Sequence, residues 1–201
     1  MIYESLQLII NELNHYLGSL SEQDSDMAVL GNVAQLESNL PGPNDGNALL
    51  NKIVLTLINL EEEKTLKNLP NYKINQNQTE FRNAPVHLNL YVLFSSTSTS
   101  YNNALIYLSR VVQFFQGKYV FTHKNSPQNN QPGLGMEDFR LILDLHSPTF
   151  EESNFLWSTL GGKQLPHVIY KMRLVAIDRE QTDELRGVIE ETNSNTKTKA
   201  Q

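Results

Sequence analysis

The chain has 201 residues, 39% of them hydrophobic and 19% charged, with a net charge of −6 and no cysteine. That length fits one domain and can bury roughly 70% of its unfolded surface, enough for a core without metal or disulfide staples. Disulfides, thiolate metal sites and cysteine nucleophiles are excluded, and the acidic balance argues against a nucleic-acid binder, whose phosphate contacts need a basic surface.

Ile2, Leu6, Ile9, Leu13 and Leu17 recur at steps of three and four, which predicts an amphipathic helix over 2–17 ended by Gly18. A polar turn follows over 19–26. Residues 27–36 can hold a short strand around Val29 to Val33, weakened or bulged at Gly31. The run Pro41-Gly42-Pro43-Asn44-Asp45-Gly46-Asn47 is too densely punctuated for a regular element. Residues 52–60 are apolar on both alternating faces and rich in β-branched side chains, as a central strand requires, and Glu61-Glu62-Glu63-Lys64 closes it. The Asn- and Gln-rich stretch 68–84, between Pro70 and Pro85, reads as a long loop. Val86, Leu88, Leu90, Val92 and Phe94 then alternate with His87, Asn89, Tyr91 and Leu93, the clearest half-buried strand in the chain.

A Ser/Thr linker, 95–100, leads into a helix over 101–116. Its predicted buried stripe is Leu105, Leu108, Val112 and Phe115, broadened by Ala104 and Val111, and Gly117 stops it. A short strand is expected at 119–122, a Pro/Asn/Gln/Gly loop at 124–135 and another strand at 139–145. Ser147-Pro148 reads as the start of a third helix that carries Phe150, Phe155, Leu156 and Trp157 and ends at Gly161-Gly162. Pro166 opens a last strand over 168–177, in which Lys171 and Arg173 share a face with Ile169, Val175 and Ile177. Beyond Asp178 the polar sequence cannot bury enough apolar surface to order itself and reads as a flexible tail over 179–201. The expected fold is α/β (α+β): a mixed or antiparallel sheet of about five strands with helices on at least one face, in a domain over 1–178.

Chemical motifs are sparse. Glu61, Glu62 and Glu63 are candidate catalytic or metal-binding carboxylates, and Glu61 and Glu63 with a histidine such as His87 support an alternative reading as a small metal-dependent α/β enzyme. An acidic run at a strand end is more often a solvated edge. The histidines His15, His87, His123, His146 and His167 show no metal-ligand spacing. Gly161-Gly162-Lys163-Gln164 fails as a phosphate loop because Trp157 replaces its first glycine and Gln164 its hydroxyl. Gly133-Leu134-Gly135 lacks its third glycine. The triplet Asn77-Gln78-Thr79 would matter as a glycosylation acceptor only in a secretory route, and Met1-Ile2-Tyr3-Glu4 opens no signal peptide. No apolar run approaches the roughly 18 residues of a membrane span. Phe114 and Phe115 are adjacent, so one of them is expected at an interface. Trp157 is expected as a core plug or a binding anchor. The mixed face of Lys171 and Arg173 suggests an uncovered sheet and an oligomer, or a generic partner-binding module.

Taken in order, several of these strings resemble the N-terminal domain family of cap proteins of contractile injection systems. They are the 2–14 helix, Asn51 to Asn68, Pro85 to Phe94, Val112-Gln113-Phe114-Phe115-Gln116-Gly117-Lys118 with Phe121-Thr122-His123, and Leu156 to Lys163 followed by Pro166 and Tyr170-Lys171-Met172-Arg173. The resemblance implies a tail terminator from a bacterium: a structural, non-catalytic subunit without cofactors. It would form a six-fold ring that caps the inner tube and the sheath at the end distal to the baseplate. Edge pairing of strands is one way such a cap engages the last layer. Its partners would be itself, the inner tube protein and the sheath protein, with no nucleic acid. It would be made in the cytoplasm and carried in a particle that is released or anchored to a membrane through other proteins. Contacts are expected at Glu61, Glu62, Glu63, Lys64, Phe114, Phe115, Lys118, Trp157, Lys163, Lys171 and Arg173.

Overall fold

The computed structural model describes residues 2–37, 49–63, 72–75, 78–81, 86–122, 124–126, 139–177 and 184–187. Among these are three α-helices, α1 (Ile2–Leu20), α2 (Tyr101–Gly117) and α3 (Phe150–Thr159). There are nine strands: β1 (Ala28–Leu30), β2 (Ile53–Glu62), β3 (Tyr72–Asn75), β4 (Gln78–Phe81), β5 (Val86–Ser96), β6 (Val120–Thr122), β7 (Arg140–His146), β8 (His167–Ile177) and β9 (Glu184–Gly187). Six strands form one sheet in the order β1-β2-β5-β8-β7-β6, and β3-β4-β9 form a second. Only β1 and β2 run parallel in the larger sheet; its other pairs are antiparallel. The sheet is therefore mixed, as expected, with one strand more than the sequence suggested. The segments 41–47 and 127–135, Lys64, Asn77, His123 and residues 188–201 lie outside the described residues.

Alternation along β5 builds both sides of the sheet. Leu88, Leu90, Val92 and Phe94 enter the main core, where α1 contributes Leu6, Leu8, Ile9, Ile10, Leu13 and Leu17 and α2 contributes Val111, Phe114 and Phe115. Leu93 points the other way, into a smaller cluster with Val33, Trp157 and Ile169. Helices α1 and α2 thus cover one face, while α3 and a 3-10 turn (Val33–Glu37) cover part of the other.

Several expectations need correction. Helix α1 passes through Gly18 to Leu20. A Cβ on Gly18 would sit 3.3 Å from Ser25 Cβ, so this glycine serves the close return of the next turn. The first strand stops at Leu30. A Cβ at Gly31 would meet the Leu49 side chain at 2.7 Å, and the Thr56 hydroxyl donates to Gly31 O (2.7 Å) and accepts from Val33 N (3.1 Å), turning the chain away. Glu61 and Glu62 do not close β2 but belong to it, in register with Asn89 and Leu88. The stretch expected as a loop holds β3 and β4, and residues 184–187 of the expected tail form β9, paired with β4. Helix α3 starts two residues later than Pro148: Thr149 accepts from Glu152 N (3.2 Å) while its own N–H donates to the Glu152 carboxylate (2.8 Å), a reciprocal cap.

Helix α2 is rotated from its predicted orientation. Ala104, Val111, Phe114 and Phe115 are its buried residues, whereas Leu105 and Val112 are exposed and Leu108 is half-buried. Ion pairs set this rotation. Arg110 meets Asp24 at 2.6 Å and Lys118 meets Glu12 at 2.7 Å, drawing one flank of α2 toward α1. Both adjacent phenylalanines are therefore buried, against the expectation for one of them: Phe114 packs on Tyr16 of α1, and Phe115 on Phe94 and Tyr170 of the sheet.

Phe94 is fully buried at the junction of these layers. Phe94→Ala is expected to cost about 3–5 kcal/mol in urea unfolding. Burial pushes the Tyr170 phenol up to about 12. The unfolded phenol ionises first, near 10, so the associated stability is complete below about pH 10 and is lost as pH rises through 12. Tyr170→Phe is expected to change stability by less than about 1 kcal/mol at neutral pH and to remove part of the alkaline destabilisation, measured by urea titration near pH 11.

Candidate interaction surfaces

The sheet face opposite α1 and α2 is covered by α3 only near Leu93 and Ile169. Beyond that point it carries a polar ladder across four strands. The Tyr91 hydroxyl donates to the Glu61 carboxylate (3.0 Å), and Lys171 lies 5.3 Å from the Tyr91 ring centroid and 3.9 Å from Glu61. Lys171 stands in register with Tyr91 on one side and Asp144 on the other. Arg173 pairs with Asp144 at 2.6 Å, and the His146 ring meets Tyr91 edge-on at 5.1 Å. Glu63 accepts from Asn89 Nδ2 at 2.9 Å. Strand alternation produces this arrangement: Glu61, Tyr91, Lys171, Arg173 and Asp144 are the residues that do not face the main core.

Of the expected contacts, the ladder gathers Glu61, Glu63, Lys171 and Arg173. Glu62 is exposed in β2, and Lys163 is exposed after α3, beyond the turn where Gly161 and Gly162 take φ of 112° and 85°. Lys64 lies outside the described residues. Phe114 and Phe115 are core residues, so they present no contact surface. Lys118 donates to Glu12 (2.7 Å) and Asn125 O (2.7 Å) and sits 4.9 Å from the Phe121 ring centroid, so its charge ties α1, α2 and β6 together. Trp157 is buried between Leu93 and Ile169, with His167 at 5.1 Å. That is the plug position rather than the anchor. A cavity of about 110 Å³ lies beside it, lined by Val33, Leu36, Leu160 and Leu165.

Glu61 and Glu63 engage Tyr91 and Asn89, and among the described residues no group of three His, Asp or Glu side chains could hold an ion. Sequence reading missed Tyr91, Asp144 and His146 as members of the ladder. Their signal was present in the alternation of β5 and β7, but the strand order that joins them was not.

The chain belongs to the Pvc16 N-terminal domain family, whose sequence profile matches residues 6–191. Comparison with curated proteins finds no match. Among solved structures it is similar to the sheath/tube terminator of an extracellular contractile injection system, PVC, in the extended state. That likeness has a TM-score of 0.61 at 13% identity, over 100% of this chain and 64% of that one. It is also similar to the anti-feeding prophage cap, a tube-terminating cap, with a TM-score of 0.49 and 12% identity over 72% of this chain and 49% of that one. The chain thus spans just under two thirds of the terminator's length. The family resemblance drawn from the residue strings and the expected α/β fold both stand.

The side chains of Lys171 and Glu61 are 29% and 49% exposed, so their pair is screened by water. A double-mutant cycle with Glu61→Gln and Lys171→Met is expected to give a coupling below about 1 kcal/mol in chemical denaturation.

Proposed function

We propose that this chain is a structural cap that terminates the inner tube and sheath of a contractile injection system. It acts as a ring of six, without catalysis or cofactor. The observation that carries this reading is membership of the Pvc16 N-terminal domain family over residues 6–191; the terminator-like fold along the whole chain supports it. No helix among the described residues is long and apolar enough to cross a membrane, which fits a particle component.

The physics of termination suits the surfaces described. A tube of stacked rings grows because each end presents the surface that the next ring needs, a heterologous contact that does not close. A cap must match the last ring and present something different outward. The ladder of Glu61, Tyr91, Lys171, Asp144 and Arg173 is a polar and largely internally paired surface of this kind. It can meet a partner with little desolvation of unpaired charge. Cytoplasmic assembly follows from the same reading.

Removing the gene from a complete injection-particle operon is expected to leave tubes and sheaths of uncontrolled or unstable length in negative-stain electron microscopy, and re-expression to restore a single length. Particles of normal length and contractility in its absence would reject the cap reading.

A further inference from the structure

We infer that the side chains of Asn14 and Asn125 close the two edge strands of the six-stranded sheet against strand addition by another molecule. The device belongs to the folded chain itself and holds whatever particle the chain joins.

Strands β1 and β6 are the outermost in the sheet, and among the described residues each pairs with one neighbour. An edge strand turns every second backbone N–H and C=O outward, a template on which a foreign strand can pair. In β1 the odd positions face inward: Met27 O accepts from Ile53 N (2.9 Å) and Gly31 N donates to Leu55 O (3.1 Å). Ala28 therefore faces outward, and one side chain takes both of its groups. Its N–H donates to Asn14 Oδ1 (2.7 Å), and its carbonyl accepts from Asn14 Nδ2 (2.8 Å).

The opposite edge repeats the arrangement. Leu143 N donates to Tyr119 O (2.9 Å) and Phe121 stands opposite Leu141, so Val120 and Thr122 face outward. The Thr122 N–H donates to Asn125 Oδ1 and the Val120 carbonyl accepts from Asn125 Nδ2, both at 2.8 Å. A primary amide carries the same donor and acceptor as a peptide group, so each asparagine supplies the last rung of a ladder and ends it.

Packing alone does not account for either side chain. Asn is a weak helix former, and Asn14 lies inside α1 between Leu13 and Leu17, which already hold the helix on the core. Asn125 is fixed by Ser126 Oγ, which donates to its Oδ1 (3.2 Å), and by Lys118, which donates to its carbonyl (2.7 Å) while paired with Glu12. Where β2 runs on past β1, Asn59 accepts from Leu60 N–H at 2.9 Å. The net charge of −6 is a poor substitute for such covers, because salt screens it beyond about 10 Å at 0.1 M ionic strength while strand pairing acts at contact.

Asn14→Ala and Asn125→Ala, made singly and together in the full chain, test this at high salt. Val111→Ala is the control, since it loosens the core and leaves both edges covered. All are compared at urea concentrations that give equal fractions unfolded. Intermolecular sheet is read by thioflavin T and amide I infrared spectra, and the covers themselves by hydrogen exchange at Ala28 and Thr122. The expected result is loss of protection at the matching amide in each single variant, and intermolecular sheet from the double variant but not from the native chain or Val111→Ala. Unchanged protection would overturn the assignment of the asparagines as covers. So would a double variant that loses protection, keeps its native circular dichroism and stays monomeric, or equal sheet formation by Val111→Ala, which would make instability the cause. If the double variant does not fold, Asn125→Ala decides the question, because Asn125 is exposed in a turn. No tube or sheath protein takes part, so either outcome leaves the cap reading as it stands.

Discussion

The fold depends on β5 satisfying two faces at once. It is paired on both edges, with β2 and β8, so its backbone is committed and only its side chains remain to choose partners. Leu88, Leu90, Val92 and Phe94 bind it to α1 and α2, and Leu93 binds it to Trp157 and the α3 side. A slip of one residue would exchange these sets and place Asn89 and Tyr91 under the helices. The aromatic contacts of Phe94 with Phe115 and Tyr170 then fix where α2 crosses the sheet.

Charge in this chain acts as orientation more than as adhesion. The Arg110–Asp24 and Lys118–Glu12 pairs join α2 to the α1 segment at partly buried positions, where loss of one partner leaves the other poorly solvated. They set which apolar arc of α2 faces inward, and by doing so they define which arc is left outside. The pairs on the open sheet face lie in water and contribute little to stability. Their effect is to neutralise that face in place, so that a modest net charge is distributed without a strong single-sign field there.

Helices α1 and α2 and the strand β5 could be read from period, because their apolar positions repeat at 3.6 or 2.0 residues, whereas β2 showed as a continuous apolar run and α3 through its boundary residues Ser147-Pro148 and Gly161-Gly162. The polar strands β3, β4 and β9 could not. Tyr72–Asn75 and Gln78–Phe81 are separated by two residues, a hairpin spacing, yet each is only four residues long, and the brief alternation of Tyr72 and Ile74 is lost among the surrounding Asn and Gln residues. The rotation of α2 was ambiguous for a different reason. Its apolar residues cover about half of the helix circumference, so hydrophobicity permits several orientations, and the ion pairs to Asp24 and Glu12 that choose among them are 86 and 106 residues away in sequence. The same distance problem hid the ladder, whose members lie on four strands brought together by a strand order that no local signal specifies.

The edges of the sheet bear on how such a subunit meets its neighbours. Strands β1 and β6 are three residues each, and β1 covers only Ile53 to Leu55 of the ten-residue β2. The rest of β2 could have been a template for an added strand, but its amides are partly blunted: Leu60 N–H donates to the Asn59 side chain at 2.9 Å, and the bulge between Leu57 and Asn59 breaks the regular spacing of the edge. Glu61 and Glu62 add charge to the same end, a common device against unwanted strand pairing. With backbone pairing discouraged there, what remains to recognise a partner at this end of β2 is its side chains. A subunit whose exposed strand is interrupted and charged in this way does not offer its sheet for extension by a neighbour's strand.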